Sequence, residues 1–353
     1  MKKHIISAAV AAAFAVPAMA QVTVSGLVDV GFGQIDTGAA TLANRYSGFS
    51  GGLGASNFQF SGSEDLGGGM RAGFVIRQEF ASATGHKSGH PANNTVVTTA
   101  NRDTLQETSV SLSGGFGNLR LGKLTPMARE ANGIGRLSGN FGRIDSTRHR
   151  NIVDLDNTIA YALPAMSGIT AEVAMSGKET SLAPAAATAA IFGPNGRTTS
   201  MFVGYTSGAL RVGFGQLTQE QTAAVNRVQQ HVGADYNLGF ARVGLIYATN
   251  DPDSTVDTDK QTVTSYSLVY PMQAGVSLHV NYASYTSQAA NAGASAQAFG
   301  VTKDLSKRTT LYATFTKTDN EAAAAVRHGA STVHAPTAGD DPQIIGVGVR
   351  HSF

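Results

Sequence analysis

Apolar and polar side chains alternate with a period of two along most of this chain. Near its beginning one face is apolar and the other is small or polar, with Leu27 as an interruption. The apolar positions are Val22, Val24, Val28, Val30 and Phe32, and the others are Thr23, Ser25, Asp29 and Gly31. The chain ends with the same alternation, from Ile345 to Phe353. Counting similar segments between these ends, the pattern predicts about 16 β-strands.

The predicted strands are joined by connectors of two kinds. Short connectors such as 65–69 and 114–117 alternate with long ones. The predicted long connectors are roughly 36–54, 81–104, 124–153, 177–197, 217–229, 249–260, 286–296 and 319–341. Short turns at one end and long loops at the other are typical of an outer-membrane barrel, whose strands need roughly 10 residues each to cross the bilayer. The sequence therefore predicts an all-β, 16-stranded antiparallel transmembrane β-barrel with short periplasmic turns and long extracellular loops. A soluble β-sandwich is the alternative.

The first 20 residues have the composition of a secretory signal peptide. Lys2 and Lys3 precede an apolar stretch, and Ala18-Met19-Ala20 is a small-x-small cleavage site. We therefore assign residues 1–20 to a signal peptide and 21–353 to the barrel domain. Without Lys2 and Lys3 the 26 basic residues fall to 24, which equals the acidic count. Such a neutral chain gives no indication of nucleic-acid binding.

Composition narrows the chemistry further. The chain has no Cys, which excludes disulfides, cysteine-ligated metals and thiol catalysis. Its mean hydropathy of −0.05 fits a barrel wall, because lipid-facing and water-facing residues cancel along each strand. The 41 Gly disfavour long helices.

Candidate enzyme and metal motifs do not lead to a predicted site. Residues 48–52 fit G-x-S-x-G but lie in a predicted Gly/Ser-rich loop, without the strand-to-helix turn that exposes a nucleophile. His279 has no evident Ser partner in the sequence. His86 and His90 are four apart, but Gly89 and Pro91 oppose the helix that would align them on a metal. The predicted loop at 249–260 is rich in Asp. These residues are either a solvated acidic loop tip or ligands of divalent ions that bridge to lipopolysaccharide. We predict no enzyme, cofactor or metal.

Four blocks in the chain resemble signatures of the Gram-negative general porin family. They are 61–74 (SGSEDLGGGMRAGF), 110–123 (VSLSGGFGNLRLGK), 305–313 (LSKRTTLYA) and 347–353 (VGVRHSF). They occur in the family's order and extend the resemblance over the whole mature chain. The resemblance implies a trimeric diffusion channel, and the terminal Phe353 is similar to the signal that outer-membrane assembly machinery reads.

In this family the third long loop folds inward and narrows the lumen, which a 16-stranded barrel otherwise leaves wide. Here that loop is about 124–153. The resemblance makes its charged residues candidate constriction residues: Arg129, Glu130, Arg136, Arg143, Asp145, Arg148 and Arg150. Five guanidiniums would bias a narrow pore toward anions. The alternative for each arginine is a solvated position or a tie between the loop and the wall.

Alternation predicts which charged side chains of the wall face the lumen, and here the chain departs from the family. Asn57 stands where many members have Arg, and Glu107 and Asp154 stand near other usually basic positions. The candidate wall residues are Asn57, Arg71, Arg77, Glu79, Glu107, Arg120 and Asp154. We therefore expect a basic loop opposite a mixed, partly acidic wall, with a slight anion preference.

The resulting expectation is an outer-membrane porin of a Gram-negative cell, for passive diffusion of small hydrophilic solutes and ions. Its expected partners are two further copies in a homotrimer, outer-membrane lipid and lipopolysaccharide, and the assembly machinery. A solute-selective channel of the same fold is the alternative, and a barrel serving as an adhesin or envelope anchor is a further one. The second long loop, 81–104, is a candidate latch onto a neighbouring subunit.

Overall fold

Nineteen β-strands and one short helix are present in the computed structural model, which describes residues 21–39, 45–85, 105–140, 144–145, 154–177, 196–220, 225–252, 260–328 and 336–353. The strands are β1 (Gln21–Asp36), β2 (Arg45–Ser50), β3 (Asn57–Gly67), β4 (Met70–Glu79), β5 (Glu107–Gly114), β6 (Gly117–Leu124), β7 (Ile144–Asp145), β8 (Leu155–Ala162), β9 (Ile169–Ser176), β10 (Thr198–Ser207), β11 (Leu210–Glu220), β12 (Asn226–Asn237), β13 (Arg242–Asp251), β14 (Gln261–Pro271), β15 (Val276–Ser287), β16 (Ala294–Asp304), β17 (Thr309–Asn320), β18 (Arg327–His328) and β19 (Gln343–Ser352). The helix is α1 (Ala128–Ile134).

Antiparallel pairing of neighbouring strands closes the sheet into a cylinder. β1 pairs with β19 on one side and, along its length, with both β2 and β3 on the other. β2 and β3 thus form one interrupted strand of the wall, and β7 and β18 pair only with each other. The wall has 16 strands, which confirms the predicted fold class. Within the described residues, closure gives every strand of the wall except β2 a partner on both sides, as an apolar surrounding requires.

Side chains alternate between the two sides of this wall as the sequence pattern predicts. Val22, Val24, Val30 and Phe32 are exposed on the outside, whereas Asp29 between them is fully buried on the inside. The same holds in the last strand, where Val347 is exposed outward and Ile344 is buried inward. None of the helices within the described residues is long and apolar enough to span a membrane.

The connectors differ in length at the two ends, but less regularly than predicted. The short turns use glycines with positive φ, such as Gly208 at φ 55° and Gly239 at φ 86°, a conformation that other residues adopt only with strain. At the other end, the loops after β11, β13 and β15 are shorter than predicted, because the flanking strands extend into the predicted loop ranges. Long connectors follow β4, β6, β9 and β17.

The predicted first loop, 36–54, was wrong in one respect, since it contains strand β2. The residues of the G-x-S-x-G match therefore lie partly in a strand, with Phe49 buried inside the barrel. Phe49 packs beside Tyr312, with ring centroids 6.4 Å apart. A side chain at Gly31 or Gly346 would collide with the Phe49 ring, so these glycines make room for it.

The last long loop also folds into the mouth of the barrel. Its residues Ala324 and Val326 are buried against apolar side chains of the inner wall, among them Ile246 and Val263. Beyond them, β18 pairs with β7 of the third loop. The β13–β16 side of the lumen is therefore partly filled at its long-loop end.

Candidate pore constriction

The third long loop enters the lumen directly after β6, and its first residues are fixed by a buried carboxylate. Glu172 of β9 is almost fully buried. It accepts a 2.7 Å hydrogen bond from the backbone N–H of Met127 and pairs at 2.5 Å with Nη2 of Arg120 on β6. Nearby, Asp154 accepts a hydrogen bond from Thr125 at 2.5 Å and pairs with Arg129 at 3.4 Å. Both ends of the loop are thus held to one region of the wall.

Helix α1 of this loop lies flat against the inner wall over β10–β13. Ala128 and Ala131 are fully buried in this contact. The wall beneath the helix and the residues that directly follow it has glycine at four positions, Gly213, Gly215, Gly233 and Gly244. A Cβ at Gly233 would lie 1.9 Å from the Ala131 carbonyl oxygen, and one at Gly215 would lie 2.3 Å from that of Ala128. The inward glycines therefore form a recess that seats the helix backbone.

Past the helix, the loop reaches the far side of the barrel. The Ser138 hydroxyl lies 3.0 Å from Nδ1 of His279 on β15, whose Nε2 lies 3.0 Å from the Thr302 hydroxyl on β16. Sequence reasoning found no Ser partner for His279, because Ser138 is 141 positions away in the chain. With both ring nitrogens engaged, this histidine ties the loop to the wall.

A second inward segment, residues 51–56 between β2 and β3, meets the tip of the third loop. We call it the re-entrant segment. Asn140 donates its side-chain amide to the Gly51 carbonyl at 2.6 Å and its backbone N–H to the Leu53 carbonyl at 3.2 Å. The loop tip therefore rests on the re-entrant segment rather than on the wall itself.

A buried carboxylate, Asp29 on β1, holds the re-entrant segment in place. It accepts backbone N–H bonds from Gly52 at 3.2 Å and from Leu53 and Gly54 at 2.7 Å each. The Tyr312 hydroxyl donates to the same carboxylate at 2.7 Å. Alternation placed Asp29 on the polar face, but nothing in the sequence singled it out, because its partners are distant in the chain.

The structure describes four of the seven candidate loop residues only in part or not at all. Arg143, Arg148 and Arg150 lie outside the described residues, and Asp145 is described only as a backbone position in β7. Arg129 pairs with Asp154, and Glu130 is exposed on α1. Arg136 is half-buried just after the helix. His86, His90 and most of the acidic 249–260 segment also lie outside the described residues.

Six of the seven candidate wall residues share the inward face of β3–β6. Glu79 pairs with Arg77 at 3.1 Å, and Glu107 lies 3.9 Å from Arg120. Asn57 donates to the Ala55 carbonyl of the re-entrant segment at 2.9 Å. Arg71 stands at the short-turn end of β4, in register with Asp65. The seventh, Asp154, precedes β8 at the loop base.

An ion-paired group that the sequence reasoning missed lies on the opposite wall. Asp235 of β12 pairs with Arg211 of β11 at 2.6 Å and with Arg242 of β13 at 2.7 Å. All three are on the lumen face by strand register. Alternation predicts that each of these side chains points inward. That they lie close together depends on the register of three strands, which the sequence does not show.

Lumen-side ion pairs present the cation to water more than the anion. The side chains of Arg211 and Arg242 are 41% and 40% exposed, and that of Asp235 is 2% exposed. Arg129 is 40% exposed against 17% for Asp154. The order is the same for Arg77 over Glu79 and for Arg120 over Glu172. Most of these pairs have no net charge, but the part of each pair that is exposed to water in the lumen is mainly the guanidinium.

A family model described as Gram-negative porin matches residues 7–323 of the chain. Outer membrane porin protein 32 of Delftia acidovorans is 30% identical over 375 aligned residues, covering 100% of both chains. Among solved structures, an anion-selective porin from Comamonas acidovorans superposes with a TM-score of 0.78 at 25% identity, over 95% of this chain and 100% of the other. The trimer form of OmpT from Vibrio cholerae superposes with a TM-score of 0.62 at 14% identity, over 94% of this chain and 99% of the other.

Sequence, fold and comparisons agree on one kind of molecule. The closed wall is apolar outside and polar inside, and a loop crosses its interior. The family match and the full-length relative cover the same chain. This chain belongs to the Gram-negative porin family and forms an outer-membrane channel for the passive diffusion of small hydrophilic solutes, narrowed by its third loop.

Proposed function

We propose that this channel is a general diffusion pore with a modest preference for anions. The observation that carries the proposal is the order of exposure in the lumen, where guanidiniums cover buried carboxylates. An ion in the pore meets the nearer charge of each pair most strongly, because Coulomb energy falls with distance. Arginine keeps its charge at any physiological pH, so the preference does not depend on titration. A solved relative described as anion-selective supports the same direction.

The position of the third loop indicates where solutes pass. The loop packs on β10–β13, on His279 of β15 and on the re-entrant segment. The opening that remains is bounded by β3–β6. Their inward side chains include the predicted wall residues Asn57, Arg77, Glu107 and Arg120, and Arg129 pairs with Asp154 at the loop base. We propose these residues as the lining of the constriction.

The reversal potential in a KCl gradient across a planar bilayer tests the preference. We expect an anion-favouring potential for the wild type and a shift toward cations for Arg129→Gln, which removes a cation that is 40% exposed. Arg197→Gln is the matched control. It removes the same charge from a pair with Glu220 on the outward phase of the wall, and should leave the potential unchanged. A cation-favouring wild type would overturn the proposal.

Assembly of three copies is part of the proposal. An apolar depression of about 820 Å³ opens on the outer face formed by β1, β16, β17 and β19. Val30, Phe32 and Val347 line it, and Ser82 and Ala83 at the start of the second loop reach its edge. A large exposed apolar depression marks an interaction site. We place the homotrimer contact here, with the predicted second-loop latch beside it.

The remaining contacts with the cell envelope also belong to the proposal. We propose that residues 1–20 are removed on export, that the outer rim contacts lipopolysaccharide, and that Phe353 is read by the assembly machinery. The backbone N–H and C=O of Phe353 both bond to Gly26, at 3.1 Å each, and its ring lies over the Gly26 position. The last residue thus seals the junction of β1 and β19.

A further inference from the structure

The group of Asp235, Arg211 and Arg242 has a geometry that goes beyond a general field of positive charge. We call it the arginine clamp. One carboxylate oxygen accepts from Nε of Arg211 at 2.8 Å and lies 2.6 Å from its Nη2. The other oxygen accepts from Nε and Nη2 of Arg242 at 3.0 and 2.7 Å. Each guanidinium therefore binds one carboxylate oxygen through its Nε–Nη2 edge. Because both guanidiniums bind the same carboxylate, Asp235 holds them close together.

This arrangement leaves hydrogen-bond donors on both arginines. A guanidinium has five N–H groups, and the edge turned to Asp235 uses only Nε and one hydrogen of Nη2. Within the described part of the chain, neither Nη1 has a further partner, and both side chains are about 40% exposed. The clamp has two cations and one buried anion, so it retains one positive charge. Its free donors are charged and face the aqueous lumen.

The clamp lies on rigid elements at a defined height in the pore. Arg211 follows the short turn before β11, and Arg242 is the first residue of β13. Gly244, the register partner of Asp235, is in contact with the third loop at Gly135 and Leu137. The clamp therefore lies between the loop and the periplasmic turns, on the side where solutes leave the constriction.

We propose that the arginine clamp is a binding station for a small dianionic oxyanion, of which inorganic phosphate is the simplest example. Paired guanidiniums recognise such anions because several oxygens can accept from several N–H groups at once. Chloride offers no such set of directed acceptors and passes without being held. The site deepens the proposed anion preference and rests on it for the supply of anions to the lumen.

Conductance of the full mature porin in planar bilayers tests the station. Phosphate is titrated at fixed chloride activity and ionic strength. We expect a saturable fall in the chloride conductance of the wild type. Arg211→Gln and Arg242→Gln should each raise the half-blocking phosphate concentration about tenfold, since each removes charged hydrogen bonds to the anion. Arg197→Gln, which removes an equal charge away from the lumen, should titrate as the wild type does.

Asp235→Asn separates a built site from a diffuse field. The change makes the lumen more positive, yet it removes the carboxylate that holds both guanidiniums. A built site predicts weaker phosphate block in this variant, and a diffuse field predicts stronger block. Stronger block, or equal titration by wild type and an Arg211→Gln/Arg242→Gln double variant, would overturn the proposal. Circular dichroism confirms that each variant is folded.

The two proposals fail separately. A reversal potential that shows no anion preference overturns the proposed selectivity, whether or not phosphate blocks saturably. Phosphate block that is linear and insensitive to both arginines overturns the clamp as a station, even where the reversal potential favours anions.

Discussion

Buried carboxylates organise the lumen at the scale of single residues. Asp29, Glu172 and Asp235 are each nearly inaccessible, and each accepts hydrogen bonds from residues outside its own strand. Burying a charge is costly unless it is paired or fully hydrogen-bonded. Their inward positions follow from alternation, but their roles could not be predicted, because the donors meet them through strand register, loop packing or, for Tyr312, closure of the barrel. Tyr312 is 283 positions from Asp29.

Replacing Asp29 should loosen the re-entrant segment. Asp29→Asn turns an amide group toward backbone N–H donors, so it leaves some of them unsatisfied at a cost of about 1–3 kcal/mol. With its support weakened, the tip of the third loop at Asn140 should fluctuate. We expect larger and noisier single-channel conductance. Tyr312→Phe removes only one of the bonds and should cause a smaller change in the same direction. Quiet, unchanged channels in Asp29→Asn would show that the segment has other support.

At the scale of elements, strands were predictable and the packing of loops was not. A strand of this wall shows its two faces in its own alternation, as β1 and β19 do, so local sequence suffices. The seating of α1 depends on glycines in β11, β12 and β13, which in sequence resemble ordinary strand glycines. The candidate loop arginines were likewise named from the loop alone. Their acidic partners, such as Asp154 for Arg129, come from positions brought near by the fold.

The recess for α1 should be sensitive to a single methyl group. In Gly233→Ala the added carbon would lie 1.9 Å from the Ala131 carbonyl oxygen, so the helix must move away from the wall into the lumen. We expect a loss of about 1–3 kcal/mol in stability, as for other overpacked sites, and a lower single-channel conductance. Gly115→Ala is the control, because nothing lies within 4 Å of the added carbon. Equal conductance in both variants would contradict the seating.

At the scale of the whole molecule, one side of the barrel lumen is covered by loops and the other side is open to solutes. The β10–β17 side is covered from within by the third and last loops, whereas the β3–β6 side is left for solutes. The outer surface is uneven as well, because the apolar depression lies on only the β1, β16, β17 and β19 part of the wall. All outward faces have the same apolar character in the sequence, so alternation alone does not distinguish the face that we propose for contact with another copy.

Introducing a charged side chain at single positions of the outer face should distinguish positions in the trimer contact from positions that contact only lipid. Val347 lines the depression and is 62% exposed, while Val173 on β9 is 60% exposed elsewhere on the wall. A lysine at either site carries a similar lipid-facing cost of about 2–4 kcal/mol near the bilayer centre. We expect Val347→Lys to abolish the heat-labile trimer band in unheated gels and Val173→Lys to retain it. Loss of the band in both variants, or in neither, would contradict the proposed contact face.

The bonds between Gly26 and Phe353 also set a condition on biogenesis. The ring of strands can be completed only after β19 has been synthesised, since β1 pairs with β19 on that side. Until then every exported polypeptide carries open strand edges, which invite pairing with other chains. We therefore expect a polypeptide that lacks β19 to aggregate rather than to form a smaller pore.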